Sequence, residues 1–158
     1  MSEVVKLLVA VGAASLLGLV PPLPAAASEF GFSVKVDLSP AAAERLAALG
    51  ETITVWTLWH GQPTAAARKH ADREGKIDLA TEDVSLPGTG GIAVVTGRNV
   101  DPRHVARIRD RDVRVDVDVV SAARKHPYNL LACTVLGGSL AKLPPSPIPI
   151  HCRLIEEH

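Results

Sequence analysis

Six histidines, two cysteines and a run of arginines are the residues of this chain best equipped for chemistry. His60, His70, His104, His126, His151 and His158 are scattered, and neutral imidazole is a common ligand for zinc or copper. No two of them have the His-x-x-x-His spacing that stacks both rings on one helix face, and no methionine follows Met1 to supply a thioether for copper(I). His151 adjoins Cys152, a pairing that matters only if that thiol is free. Nucleophilic catalysis needs a serine or cysteine beside a base, and the serines lack the glycine pattern of a nucleophile elbow. Asp116 and Asp118 share a strand face roughly 7 Å apart. They read as a solvated face with Arg114 as countercharge, and a flat strand does not wrap oxygens around calcium. No catalytic, metal-ligating or cofactor-binding residue is assigned, and no cofactor is expected.

The stronger chemical signal is local charge. From Arg98 to His126 the chain carries Arg98, Arg103, His104, Arg107, Arg109, Arg111, Arg114, Arg124, Lys125 and His126 against five aspartates. Guanidinium groups in such density suit an acidic partner, so Arg103, Arg107, Arg109 and Arg111 are the candidate contact residues. Trp56 and Trp59 differ by three along a β-rich segment and point to opposite faces. One belongs in the core and the other is an exposed anchor, for which Trp59 is the candidate.

The whole chain balances 17 basic against 17 acidic side chains, so no bulk field steers it toward nucleic acid or anionic lipid. Two tryptophans, one tyrosine and two phenylalanines are too few for the stacking platforms of single-strand binders. Nucleic acid is therefore not an expected partner.

Residues 1–27 read as a secretory signal. Lys6 gives a positive n-region, Leu7 to Val20 is an apolar run, Pro21, Pro22 and Pro24 break it, and Ala25-Ala26-Ala27 supplies small residues for cleavage before Ser28. As a helix the apolar run spans only about 21 Å against roughly 30 Å of hydrocarbon, which disfavours a lasting membrane anchor. A lipoprotein would need a cysteine at the cleavage point, and the first cysteine is Cys133. The expected location is the periplasm or the medium. There Cys133 and Cys152, an even pair, are expected to form a disulfide closing about 20 residues and contributing on the order of 3 kcal/mol.

The elements that must position these groups are mostly strands, and residues 28–158 read as one domain. Phe30 to Leu38 alternates Phe30, Phe32, Val34, Val36 and Leu38 with Ser33, Lys35 and Asp37. Ser39-Pro40 starts a short helix over Ala41 to Leu49, closed by Gly50, with Leu46 and Leu49 turned to the sheet. Glu51 to His60 is the second strand, ended by Gly61-Gln62-Pro63, and Thr64 to Gly75 is a loop or one loose helical turn. Short strands follow at Lys76 to Ala80, Val84 to Leu86 and Ile92 to Thr96, with a turn over Pro87 to Gly91. Asp101 caps a helical turn within Asp101 to Ile108. Asp112 to Val120 alternates four valines with Asp112, Arg114, Asp116 and Asp118, which makes it the core strand with one dry face. Leu130 to Leu136 and Ile148 to Ile155 are the last two strands, separated by Gly137-Gly138 and a proline-rich stretch, and joined by the disulfide.

Seven or eight short strands at regular spacing predict a mainly β fold, an antiparallel β-sandwich with one short helix after the first strand. The pattern resembles immunoglobulin-like or transthyretin-like architecture. It departs from antibody-type domains in having no tryptophan between closely spaced cysteines, and from transthyretin-like 5-hydroxyisourate hydrolases in ending Arg153-Leu154-Ile155-Glu156-Glu157-His158 instead of Tyr-Arg-Gly-Ser. The expected function is that of a small exported accessory or binding protein, its partner another protein of the bacterial envelope. A periplasmic metal-binding protein using histidines and a hydrolase with an unrecognised site are the alternatives.

Overall fold

The computed structural model describes residues 28–157; the signal segment over 1–27, its cleavage point and His158 lie outside the described residues. Two four-stranded sheets carry the fold. β1 (Phe32–Leu38), β4 (Gly91–Val95), β6 (Leu131–Cys133) and β8 (Ile148–Leu154) form the first, in the order β4-β1-β8-β6. β2 (Ile53–Gly61), β3 (Ile77–Leu86), β5 (Arg114–Ser121) and β7 (Leu136–Ser139) form the second, in the order β3-β2-β5-β7. The first sheet is mixed, because β1 and β8 run parallel, a departure from the wholly antiparallel arrangement that the strand spacing predicts. Their connection spans most of the chain, so no hairpin constrains their direction.

The two sheets share one core. Val34, Val36, Ala93, Ile148 and Ile150 come from the first sheet, and Ile53, Val55, Val117 and Val119 from the second. Val113, Val115, Val117 and Val119 are all buried, and Asp112, Asp116 and Asp118 are exposed, as the alternation predicts. β5 is an interior strand, paired with β2 on one side and β7 on the other.

The helix α1 (Pro40–Leu49) has the expected ends: the Ser39 side chain accepts from the Ala42 amide, and Gly50 takes a left-handed φ of 62°. Ala42 and Leu46 are the residues it buries, whereas Leu49 is only half-buried. A second, four-residue helix, α2 (Pro102–Val105), is capped by the Asp101 side chain. Thr64 to Gly75 contains a 3-10 helix at Ala65–His70 that buries Ala67 against Ile77 and Ile108.

Two readings of the strands are corrected. The segments at 76–80 and 84–86 are one strand, β3, because Thr81, Glu82 and Asp83 remain in register with β2. β3 is an edge, where charged residues are tolerated and blunt pairing with other chains. Conversely, Leu130 to Leu136 is not one strand: β6 lies in the first sheet and β7 in the second. Gly137 and Gly138 are strand residues of β7, and a Cβ at Gly137 would sit 2.9 Å from Asp116 Oδ1. Glycine is used there for close approach, and for that reason its pair mimics a turn in sequence.

Cys133 and Cys152 face each other in the β6–β8 register and are disulfide-bonded, with Cα atoms 4.0 Å apart. Among the described residues, no helix is long and apolar enough to cross a membrane.

Candidate functional site

β5 separates the basic run into two places. Arg98 to Arg111 precede the strand, whereas Arg124, Lys125 and His126 follow it, so an eight-residue strand of roughly 27 Å lies between the two groups. The run from 98 to 126 is therefore two surfaces. The first of these, the arginine loop, stands beside a groove.

A second core cluster supports that end of the molecule. Phe30, Trp59, Val95, Val100, Val105, Val113 and Val115 are packed together, and Trp59 is fully buried among them. Its indole N–H donates to the Phe30 carbonyl at 3.2 Å, and its ring meets Phe32 edge-on at 6.3 Å. Trp59 is thus a core residue and cannot serve as the exposed anchor; Trp56 is the half-buried tryptophan on the outer face. The sequence spacing puts the two on opposite faces, but only the pairing of Trp59 with Val115 decides which face is inside.

The arginine loop is fastened at several points. The Thr64 amide donates to the Arg107 carbonyl and the Arg109 amide to the Gln62 carbonyl, both at 2.8 Å. Pro63 and Ile108 form an isolated bridge, and Ile108 is buried against Gly61, where an added Cβ would collide with its Cγ2. Asp110 and Arg111 both adopt left-handed backbone, with φ of 55° and 53°. Such a conformation costs a non-glycine residue of order 1–3 kcal/mol and persists only where surrounding bonds over-determine it. Here the Arg111 amide reaches the Ile108 carbonyl at 3.1 Å, and the Val113 amide reaches the Arg111 carbonyl at 2.9 Å.

All four candidate arginines are exposed. Arg103 is turned back onto Asp101, with its Nη2 2.7 Å from Oδ2, so its charge is already partnered. Those hydrogen bonds, with the Arg103 amide, hold the Asp101 carboxyl down at about 2. Arg107, Arg109 and Arg111 make no ion pair among the described residues. Arg98, at the start of the loop, is likewise exposed and makes no ion pair among the described residues.

The groove has a volume of about 790 Å³ and runs between this loop and the segment 139–146. Phe30, Phe32, Val105 and Leu143 give it apolar walls, and Glu29, Asp110, Arg111, Asp112 and Lys142 give it charges of both signs. The Ser139 hydroxyl donates to Asp112 Oδ1 at 2.6 Å, which orients Asp112 beside Arg114. No histidine lines the groove, so Ser139 has a carboxylate partner without an imidazole to relay its proton. Lys142 and the Ser139–Asp112 bond were invisible in the sequence pattern because they arrive through the crossing to β7.

The described histidines do not gather. His60 is buried on β2, with Nε2 3.0 Å from Asp116 Oδ2, while His151 stands exposed on β8 and His126 stacks edge-on with Tyr128 at 6.0 Å. Among the described residues no three His, Cys, Asp or Glu side chains are placed to hold a metal ion. Far from the groove, Glu51 is a buried carboxylate whose oxygens accept from the amides of Thr52 at 3.0 Å, Lys125 at 2.7 Å and His126 at 3.2 Å. These bonds, the Lys125 amide foremost, hold its pKa below the ordinary value against the opposing effect of burial. The comparisons place the chain in no group: no family model matches it, and no match is found among curated proteins or solved structures.

Proposed function

We propose that this chain is a small exported accessory protein of the bacterial envelope that works by binding another envelope protein, without a cofactor. In this reading the signal is removed after Ala27 and the remainder is free in the periplasm or the medium, as a β-sandwich of immunoglobulin-like or transthyretin-like kind. The observation that carries it is the arginine loop. Three guanidinium groups with no ion pair among the described residues sit on hydrogen-bonded backbone, and one of them, Arg111, lines a groove with apolar walls and a charged rim. Contact surfaces favour that composition, because arginine joins strong polar bonding to low hydration, and a pre-ordered loop loses little entropy on docking. The disulfide between Cys133 and Cys152 is compatible with an oxidising compartment.

The test is a comparison of two baits in envelope extract: wild-type protein and the variant with Arg107, Arg109 and Arg111 all changed to Glu. The proposal expects one protein to be retained by the wild type and lost from the variant, at unchanged melting temperature. Equal retention by both baits rejects the loop as the contact surface.

A further inference from the structure

We infer that the outer face of the second sheet is a docking surface for a cationic protein segment, centred on Trp56 and flanked by Asp83 and Asp118. Trp56 on β2 lies directly opposite Asp83 on β3 and Asp118 on β5. Directly opposed residues in antiparallel strands project to the same face with Cβ atoms about 4.5–5.5 Å apart. The indole is therefore bracketed by a carboxylate on each side. It is not there to fill the core, since Val55, Thr57 and Trp59 on the same strand do so from the other face. Trp56 is half-buried and its indole N–H has no partner among the described residues, while Asp83 and Asp118 are exposed and make no ion pair among them.

A third carboxylate of this face, Asp116, stands against the buried His60 of β2. His60 is 5% exposed, and its Nε2 lies 3.0 Å from Asp116 Oδ2. Asp116 lies two residues along β5 from Asp118 on the same face and adds to its negative charge.

Charge selects the occupant. The cations near this face are committed elsewhere: the Lys76 ammonium lies 2.9 Å from Glu74, and Arg114 is directed toward Asp112 at 3.8 Å. The field over the indole is therefore negative. An indole face attracts a guanidinium or ammonium through its quadrupole, most strongly where flanking anions add to it. A cation stacked on the ring sits one strand spacing, about 4.8 Å, from each flanking strand. An arginine or lysine side chain of a partner protein fits these demands; an acidic segment is repelled. This surface is separate from the arginine loop, whose charge is of opposite sign.

The test uses a fluorescein-labelled acetyl-Gly-Arg-Gly-Arg-Gly amide peptide, its glutamine-for-arginine counterpart and a neutral oligosaccharide, with anisotropy and competition as readouts. Full-length mature protein is compared with Trp56→Leu and with the Asp83→Asn, Asp118→Asn double variant. Both changes lie on the outer face, and near-ultraviolet circular dichroism of buried Trp59 reports whether the fold is kept. The arginine peptide should bind the wild type, the double variant should bind it roughly tenfold more weakly, and Trp56→Leu should lose a similar factor. Equal binding to all three proteins, no binding at all, or preference for the glutamine peptide or the oligosaccharide would overturn the inference. Self-association of the wild type abolished by the same substitutions would also overturn it, by naming a second copy as the occupant.

Discussion

Glu51 organises more of the molecule than its position at the mouth of β2 suggests. Its carboxylate collects the amides of Lys125 and His126 from a loop more than seventy residues away, and those bonds hold its pKa low. A carboxylate whose pKa is lower folded than unfolded adds stability above its unfolded value, ordinarily 4.5, and that contribution is lost as pH falls through the folded pKa. Glu51→Gln should cost about 1–3 kcal/mol near neutral pH, because buried amides lose an ionised acceptor. Thermal melts across the acid range should show the two proteins converging as pH drops below 4.5. A constant gap between them would contradict the assignment. Such a clamp was not legible in sequence, since a glutamate before a strand usually marks only the turn. The opposite orientations of Trp56 and Trp59 were legible from their spacing, but which one is buried depends on the partner strand.

At the scale of elements, alternation and caps read well wherever one strand or helix explains itself. β1 from Phe32 onward, the ends of α1 and the dry face of β5 follow their patterns because a single dry face or a Ser39-Pro40 start is local information, whereas Phe30, read as the first strand residue, lies in a turn before β1. β3 and the β6–β7 pair do not, because an edge tolerates charges and a glycine pair serves close approach as readily as turning. The dry face of β5 makes a sharp prediction. Val117→Asp would bury an unpaired carboxylate at a cost of several kcal/mol, comparable to the whole stability of such a domain, and should leave it unfolded in circular dichroism. Asp118→Asn, one residue along on the wet face, should leave the melting temperature nearly unchanged. The arginine loop depends on Gly61 in a similar way. Gly61→Ala forces a Cβ onto Ile108 and should cost about 1–3 kcal/mol, with hydrogen exchange rising at the Arg109 amide before it rises in β5.

For the whole molecule, the disulfide and the separation of charge are the features that matter outside the fold. The bridge joins residues 19 apart in sequence and is worth about 3 kcal/mol in the chain-entropy view, so a Cys133→Ser, Cys152→Ser variant should melt well below the wild type. Unfolded, unreduced wild-type protein should give no thiol on titration. The architecture of two sheets and the cysteine pair were readable from spacing, whereas the division of the basic run by β5 needed the register. That division is what leaves Arg107, Arg109 and Arg111 as a separate, rigid surface beside the groove. The most direct measurement is therefore photo-crosslinking in the producing cell, with a photoreactive residue at position 109 and, as control, at the exposed position 135. The binding account expects a single discrete adduct from position 109 that disappears when Arg107 and Arg111 are changed to Glu, and none shared with position 135. No adduct from position 109, or one that survives those substitutions, would contradict it.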